Sequence, residues 1–229
     1  MNTNFLCVFD LETSHKKPEL AQILEIGAYI IERNNLQIVD EFSTLVKPVD
    51  FTAVTDEALG INKILISDLE KAPETTTAWK QFCSWVNKYN KSKNSPTSYD
   101  APIACGYNIQ KYDLKIITRY CNVYGPWDVK REDQKLFNQV YNIDVLQHLF
   151  FWFENNMSVS KLNLPSVMEY VGLPQSVIEQ THGAKIDARI TAEILIKLLK
   201  AERYLTDKDE ITKKRRMELK GCLKGWKNG

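Results

Sequence analysis

Asp10 and Glu12 stand one residue apart at the end of an apolar run, in the stretch Cys7-Val-Phe-Asp-Leu-Glu-Thr-Ser14. The run over residues 4–9 reads as a buried strand. Side chains at i and i+2 of a strand leave by the same face, so both carboxylates are expected together at the strand's end. Like charges held that close disfavour each other's ionised form unless a cation intervenes. Oxygen-only donors of this kind suit a hard divalent ion, Mg²⁺ or Mn²⁺. A solvated strand end would carry the same two letters, so the pair alone leaves both readings open.

Two more acids lie at expected element boundaries. Asp113 closes Gly106-Tyr-Asn-Ile-Gln-Lys-Tyr-Asp113, and Asp187 lies in His182-Gly-Ala-Lys-Ile-Asp187-Ala188. Each would open a helix, where an acid is favoured by the helix dipole alone. Singly they are ordinary. Four acids, each at the end of an element, can converge on one site.

The elements that must carry these acids follow from pattern. Residues 22–32 and 36–46 are rich in Ile and Val, with Asn34-Asn35 as a turn between them, and predict a hairpin. Residues 75–89 place Trp79, Phe82, Cys83 and Val86 at helical spacing, with Thr75–Thr77 as candidate caps. Residues 90–102 are polar, contain two prolines and read as a loop. A short strand is expected at residues 103–108, a helix at 112–125 and a strand running into a helix at 140–154. Further helices are expected at 162–174 and 187–205. The aromatic run Phe150–Phe153 is read as core. Strands lead and helices follow, with strands between helices: a mixed α/β sheet covered by helices.

On these motifs the chain resembles the DEDDh group of 3′→5′ exonucleases on the ribonuclease H-like fold. Asp10–Thr13 resembles the family's Asp-x-Glu-Thr motif, and Leu24–Ala28 its downstream Ile-Glu-Ile-Gly-Ala. Gly106–Asp113 is similar to the Gly-Tyr-Asn-x-x-x-Tyr-Asp form of exonuclease I and of family B polymerase proofreading domains. His182–Ala188 matches His-x-x-x-x-Asp-Ala, and Asp144 resembles an auxiliary Asp-Thr-x-x-Leu segment with Val145 in the Thr place. Three motifs in family order make the resemblance specific. The chain departs from the family at Ser14, where a second Thr is common, and at Asn108, where many proofreading subunits carry His.

The resemblance implies three antiparallel strands followed by parallel strands, flanked by helices. It also implies two-metal hydrolysis of phosphodiesters from the 3′ end of single-stranded DNA, releasing 5′-mononucleotides, or of RNA in the rival reading. Asp10, Glu12, Asp113 and Asp187 would hold two Mg²⁺ or Mn²⁺ ions, and His182 would be the general base. Leu11, Thr13 and Asn108 would meet the substrate's end. His15 and His148 are read as structural. The implied partners are a nucleic-acid 3′ end and a polymerase or replication protein. A non-catalytic nucleic-acid- or polymerase-binding module is the rival of another class.

Composition sets the outer bounds. The 229 residues are 44% hydrophobic and 26% charged, and carry a formal net charge of +1. Residues 207–229 hold eight Lys/Arg against four Asp/Glu, a net +4, which leaves −3 on the other 206 residues. Taken with the resemblance, this implies an exonuclease domain over residues 1–205 and a basic, helical tail over 206–229, suited to a polyanion. No apolar run approaches a bilayer span. The N-terminus lacks a secretory pattern, so a cytoplasmic, membrane-free protein is expected. Five cysteines without Cys-x-x-Cys spacing are expected reduced and mostly buried.

Overall fold

Alternation along the first strand sets the architecture. β1 (Phe5–Thr13) pairs antiparallel with β2 (Ile23–Glu32), which pairs antiparallel with β3 (Gln37–Leu45). On its other side β1 is joined in parallel by β4 (Ile103–Gly106), and β4 in parallel by β7 (Asn142–Asp144). The order is β3-β2-β1-β4-β7, the expected ribonuclease H-like sheet of three antiparallel strands followed by parallel ones. A separate two-residue hairpin joins β5 (Trp127–Asp128) and β6 (Asp133–Gln134). The computed structural model describes residues 3–91, 99–154, 161–170 and 183–207, with side chains up to residue 204. The chain divides into two compact units, Met1–Ile194 and Leu195–Gly229, and the sheet belongs to the first.

Among the described residues the α-helices are α1 (Asp56–Asn62), α2 (Ile66–Lys71), α3 (Thr75–Asn87), α4 (Asp113–Tyr124), α5 (Val145–Phe153), α6 (Leu164–Tyr170) and α7 (Ala184–Asp207). Cys7, Phe9 and Leu11 of β1 and Ile26, Ala28 and Ile30 of β2 bury one sheet face in a core shared with Trp79, Phe82 and Val86 of α3 and Ile116, Ile117 and Tyr120 of α4. The alternate residues Asp10 and Glu12 therefore leave by the opposite face. Cys7, Cys105 and Cys121 are buried free thiols and Cys83 is half-buried, while Cys222 lies outside the described residues. No helix among the described residues is long and apolar enough to cross a membrane.

Two local expectations need correction. Residues Thr75–Thr77 do not cap α3: Glu74 holds the cap position without a side-chain bond, and the Thr75 hydroxyl instead donates to the Lys47 carbonyl at 2.7 Å. The short helices α1 and α2 carried too few periodic apolar residues to be read. The aromatic run of α5 is not core: Phe150, Phe151 and Trp152 are 53%, 77% and 42% exposed. Four consecutive helical positions turn through a full circumference. With Val145 and Leu149 already taking the buried stripe, the aromatics that follow must point elsewhere. The tail expected from residue 206 lies outside the described residues from 208 onward.

Candidate active site

The two β1 carboxylates face a helix brought in from the far end of the sequence. Across the β1–β2 ladder Asp10 stands opposite Gly27 and Glu12 opposite Glu25, so these four residues share one face of the sheet. The first turn of α7 lies on that face. A Cβ at Gly27 would collide with the backbone of Ala184 and Lys185, so only glycine lets the helix start come this close. Glu25 Oε2 accepts the Ala184 amide at 3.0 Å, and Lys185 pairs with Glu41 of β3 at 2.8 Å. One turn further along α7, Asp187 reaches the β1 pair. Carboxylate oxygens of Asp10, Glu12 and Asp187 all lie within 4.8 Å of one another.

Asp113 arrives from the other side, at the first residue of α4. It is buried, and the backbone amides of Leu11 and of Asp113 itself hydrogen-bond its carboxylate. The loop that delivers it is tied down by Asp144, the N-cap of α5. That buried carboxylate accepts the amides of Asn108 at 2.9 Å, Gln110 at 3.2 Å and Leu146 at 3.1 Å. Asn108 takes the left-handed conformation, φ 59°, that this turn requires. Its side-chain Oδ1 is buried and has no hydrogen-bond partner.

The electrostatics reflect the crowding. Burial first, then the charges of Asp113, Glu12, Asp187 and Glu25, hold Asp10 well above the ordinary carboxylate range. Burial and the neighbouring Asp187, Glu25 and Asp113 push Glu12 up to about 7. Asp113 is pushed up to about 7, chiefly by burial and in part by Asp144, although its two amide bonds pull the other way. A cluster of hard oxygen donors that repel one another is a site that a divalent cation fits. The cluster could hold such a metal.

The expected substrate residues are distributed differently. Leu11 is only 6% exposed and its side chain belongs to the core; its contribution at the site is the amide given to Asp113. The Thr13 hydroxyl is engaged by the Tyr112 hydroxyl at 2.5 Å, and Tyr112 also donates to the His15 carbonyl. The Thr13 carbonyl accepts from Asn62 Nδ2 at 3.1 Å. Beside Thr13 lies a small cavity of about 100 Å³ lined also by His15, Tyr112 and Asn62. A larger cavity of about 610 Å³ lies between α3, the far end of α4 and β5–β6, and none of the four acids lines it. His182 lies outside the described residues.

Sequence reasoning passed over Glu25, Tyr112 and Asn62. Glu25 carried a usable signal, since it stands two residues before Gly27, on the same strand face. Asn62 carried none, because its pairing with Thr13 spans 49 residues of chain.

Comparison with known proteins agrees with this arrangement. The exonuclease (RNase T) family model matches residues 7–195. No curated protein matches the chain by sequence. Among solved structures, cell-death related nuclease 4 is 16% identical with a TM-score of 0.65, over 87% of this chain and 65% of that one. The nuclease domain of 3'hExo, a DEDDh family member bound to rAMP, is 18% identical with a TM-score of 0.63, over 87% of this chain and 93% of that one. E. coli exonuclease I with a dT13 oligonucleotide is 15% identical with a TM-score of 0.67, over 90% of this chain and 43% of that one. The chain thus spans less than two thirds of cell-death related nuclease 4 and less than half of exonuclease I. At these identities the neighbours speak to the fold alone. The family match extends from the start of β1 into α7 and takes in Asp10, Glu12, Asp113 and Asp187, and on it the chain belongs to the exonuclease (RNase T) family, the DEDDh kinship that its motifs implied.

Proposed function

We propose that this protein is a metal-dependent 3′→5′ exonuclease that hydrolyses phosphodiester bonds from the 3′ end of single-stranded DNA and releases 5′-mononucleotides. The observation that carries the reading is convergence: Asp10, Glu12 and Asp187, from a strand and a helix 175 residues apart in sequence, lie within 4.8 Å. Asp113, from a third element, is close enough to raise the pKa of Asp10 and Glu12.

In this reading Asp10, Glu12 and Asp187 would hold one Mg²⁺ or Mn²⁺ ion, and Asp10 with Asp113 would hold a second. Bound there, the ions would neutralise phosphate charge and lower the pKa of the attacking water. The chain's own groups do the rest. His182 takes the proton from the water as general base; imidazole titrates at roughly 6.5, near working pH. Asn108, on the turn that delivers Asp113, meets the substrate's terminal sugar. Thr13 meets the substrate's end, and Leu11 serves the site through the backbone amide that it gives to Asp113. Residues 1–205 form the exonuclease domain, and the basic tail 206–229 grips backbone phosphates. The protein works in the cytoplasm, beside a polymerase or replication partner. Possession of all four acids weighs against a non-catalytic binding module.

Substrate choice has a second reading. The Gly-Tyr-Asn form of the second motif resembles DNA-acting members. Against it, one neighbour whose length this chain spans almost wholly is the 3'hExo nuclease domain, and that domain was captured with rAMP. Matched DNA and RNA oligonucleotides labelled at either end, with and without Mg²⁺, decide between them. The expected result is Mg²⁺-dependent loss from the 3′ end, faster on DNA. Faster loss of RNA would transfer the assignment to an exoribonuclease. Cleavage of a circular strand would overturn the exonuclease reading altogether.

A further inference from the structure

We propose that Glu25 is a positioning residue, which clamps the first turn of α7 to β2 and so sets Asp187 within reach of Asp10 and Glu12. The inference rests on the metal-dependent reading above and adds a fifth carboxylate to the machinery, one that acts through Asp187.

Three observations carry it. First, the register places Glu25 directly opposite Glu12 and Gly27 opposite Asp10, so the strand that neighbours the two β1 carboxylates is also the bed of α7. Second, the Glu25 carboxylate accepts two consecutive amides of the helix start, Ala184 at 3.0 Å and that of Lys185. These are amides that no turn of helix precedes, and a carboxylate is a strong acceptor for them. Third, the absence of a side chain at Gly27 is what brings Ala184 and Lys185 against the sheet. Asp187 follows Ala184 by three residues, close to one helical turn. Any tilt or slide of the first turn therefore moves Asp187 relative to the β1 pair.

Charge supports the same role. A fifth acid beside four others adds repulsion that the site would be better without. Its retention there needs another reason, and the two amides supply one. Glu25 also stands outside the mutually close triad of Asp10, Glu12 and Asp187. Its oxygens are directed to the helix amides, as outer groups that orient metal-binding side chains commonly are.

The test compares Glu25→Gln, Glu25→Ala and Gly27→Ala by three readouts: Mn²⁺ binding by calorimetry, melting of the metal-free protein, and kcat and KM on a labelled oligonucleotide. Glu25→Gln keeps an oxygen acceptor and is expected to bind Mn²⁺ and turn over near wild type. Glu25→Ala is expected to weaken Mn²⁺ binding about 10–100-fold, the usual effect of losing such an orienting partner. Its kcat should fall while KM holds. Gly27→Ala, which changes no charged group, should reproduce the Glu25→Ala pattern. Glu25→Gln as damaging as Glu25→Ala would overturn the proposal and make Glu25 a direct ligand. Glu25→Ala with a lowered Tm but wild-type Mn²⁺ binding and kcat would overturn it too, leaving only a helix cap. Should Gly27→Ala fail to fold, the pair of Glu25 variants decides alone. A wild-type protein that degrades no oligonucleotide would remove the proposed activity, and the Mn²⁺ titrations and melts would still judge the clamp.

Discussion

Single side chains at this site work against their own ionisation. In the metal-free fold Glu12 and Asp113 both titrate near 7, above the range of an unfolded carboxylate. The folded chain therefore holds protons that the unfolded chain has released, and stability falls where the unfolded state binds fewer. The stability these groups contribute is complete below the ordinary carboxylate pKa and is lost as pH rises through about 7. Metal-free protein should thus melt lower at pH 8 than at pH 6. Glu12→Gln should flatten that slope, and saturating Mg²⁺ should raise Tm more at pH 8 than at pH 6. Equal metal-free melting at both pH values would remove the crowding argument. Two activity predictions belong to the same scale. Asp10→Ala should abolish metal-dependent shortening of an oligonucleotide while circular dichroism remains native. His182→Ala should slow turnover by about 10²–10⁴-fold, the usual contribution of a general base; an unchanged rate would take His182 out of the mechanism.

At the scale of elements, the site depends on two buried or half-buried carboxylates that do no chemistry in the proposed mechanism. Glu25 holds α7 and Asp144 holds the loop before α4. Asp144 satisfies three backbone amides from two segments at once. Its replacement by Ala leaves three part-buried amides without that acceptor, at about 1–3 kcal/mol for each one that water does not reach. Asp144→Ala is therefore expected to lower Tm by several degrees in thermal melts. It should also lower kcat, because the freed loop carries Asp113. Asp144→Asn, which retains one oxygen, should fall between. An unperturbed Tm in Asp144→Ala would mean that water replaces the carboxylate without loss. The aromatic end of α5 makes a related point about elements. Hydrophobic letters were abundant there, but a helix can bury only one stripe on one neighbour.

For the whole molecule, the slightly acidic body and the basic C-terminal end bear on how a polyanion is held. A site rich in carboxylates repels a phosphate backbone, and cations elsewhere must offset that repulsion. Replacing Lys213, Lys214, Arg215 and Arg216 together by Gln tests the tail. Each single-strand phosphate contact contributes about 0.7 to the slope of log K against log salt. Four lost contacts should make the slope shallower by up to about 3, with the metal-saturated kcat preserved. A slope identical to wild type would place the backbone grip elsewhere.

The sequence by itself determined the sheet's strand types, the order of the three motifs and the face on which Asp10 and Glu12 emerge. Those properties are local: period-two alternation and short spacing decide them within a few residues. It also placed Asp113 and Asp187 at helix starts, because an acid in the first turn is a local preference as well. Only the tertiary structure decided that these helix starts meet at the end of β1. That meeting depends on pairings across the whole chain: Gly27 beneath Ala184 and Lys185, Glu25 on their amides, Asp144 on Asn108 and Gln110. No periodicity encodes a contact between residues 25 and 184. The free energy that selects it comes from burying one face of a helix and satisfying its first amides, and those terms exist only once the sheet has formed.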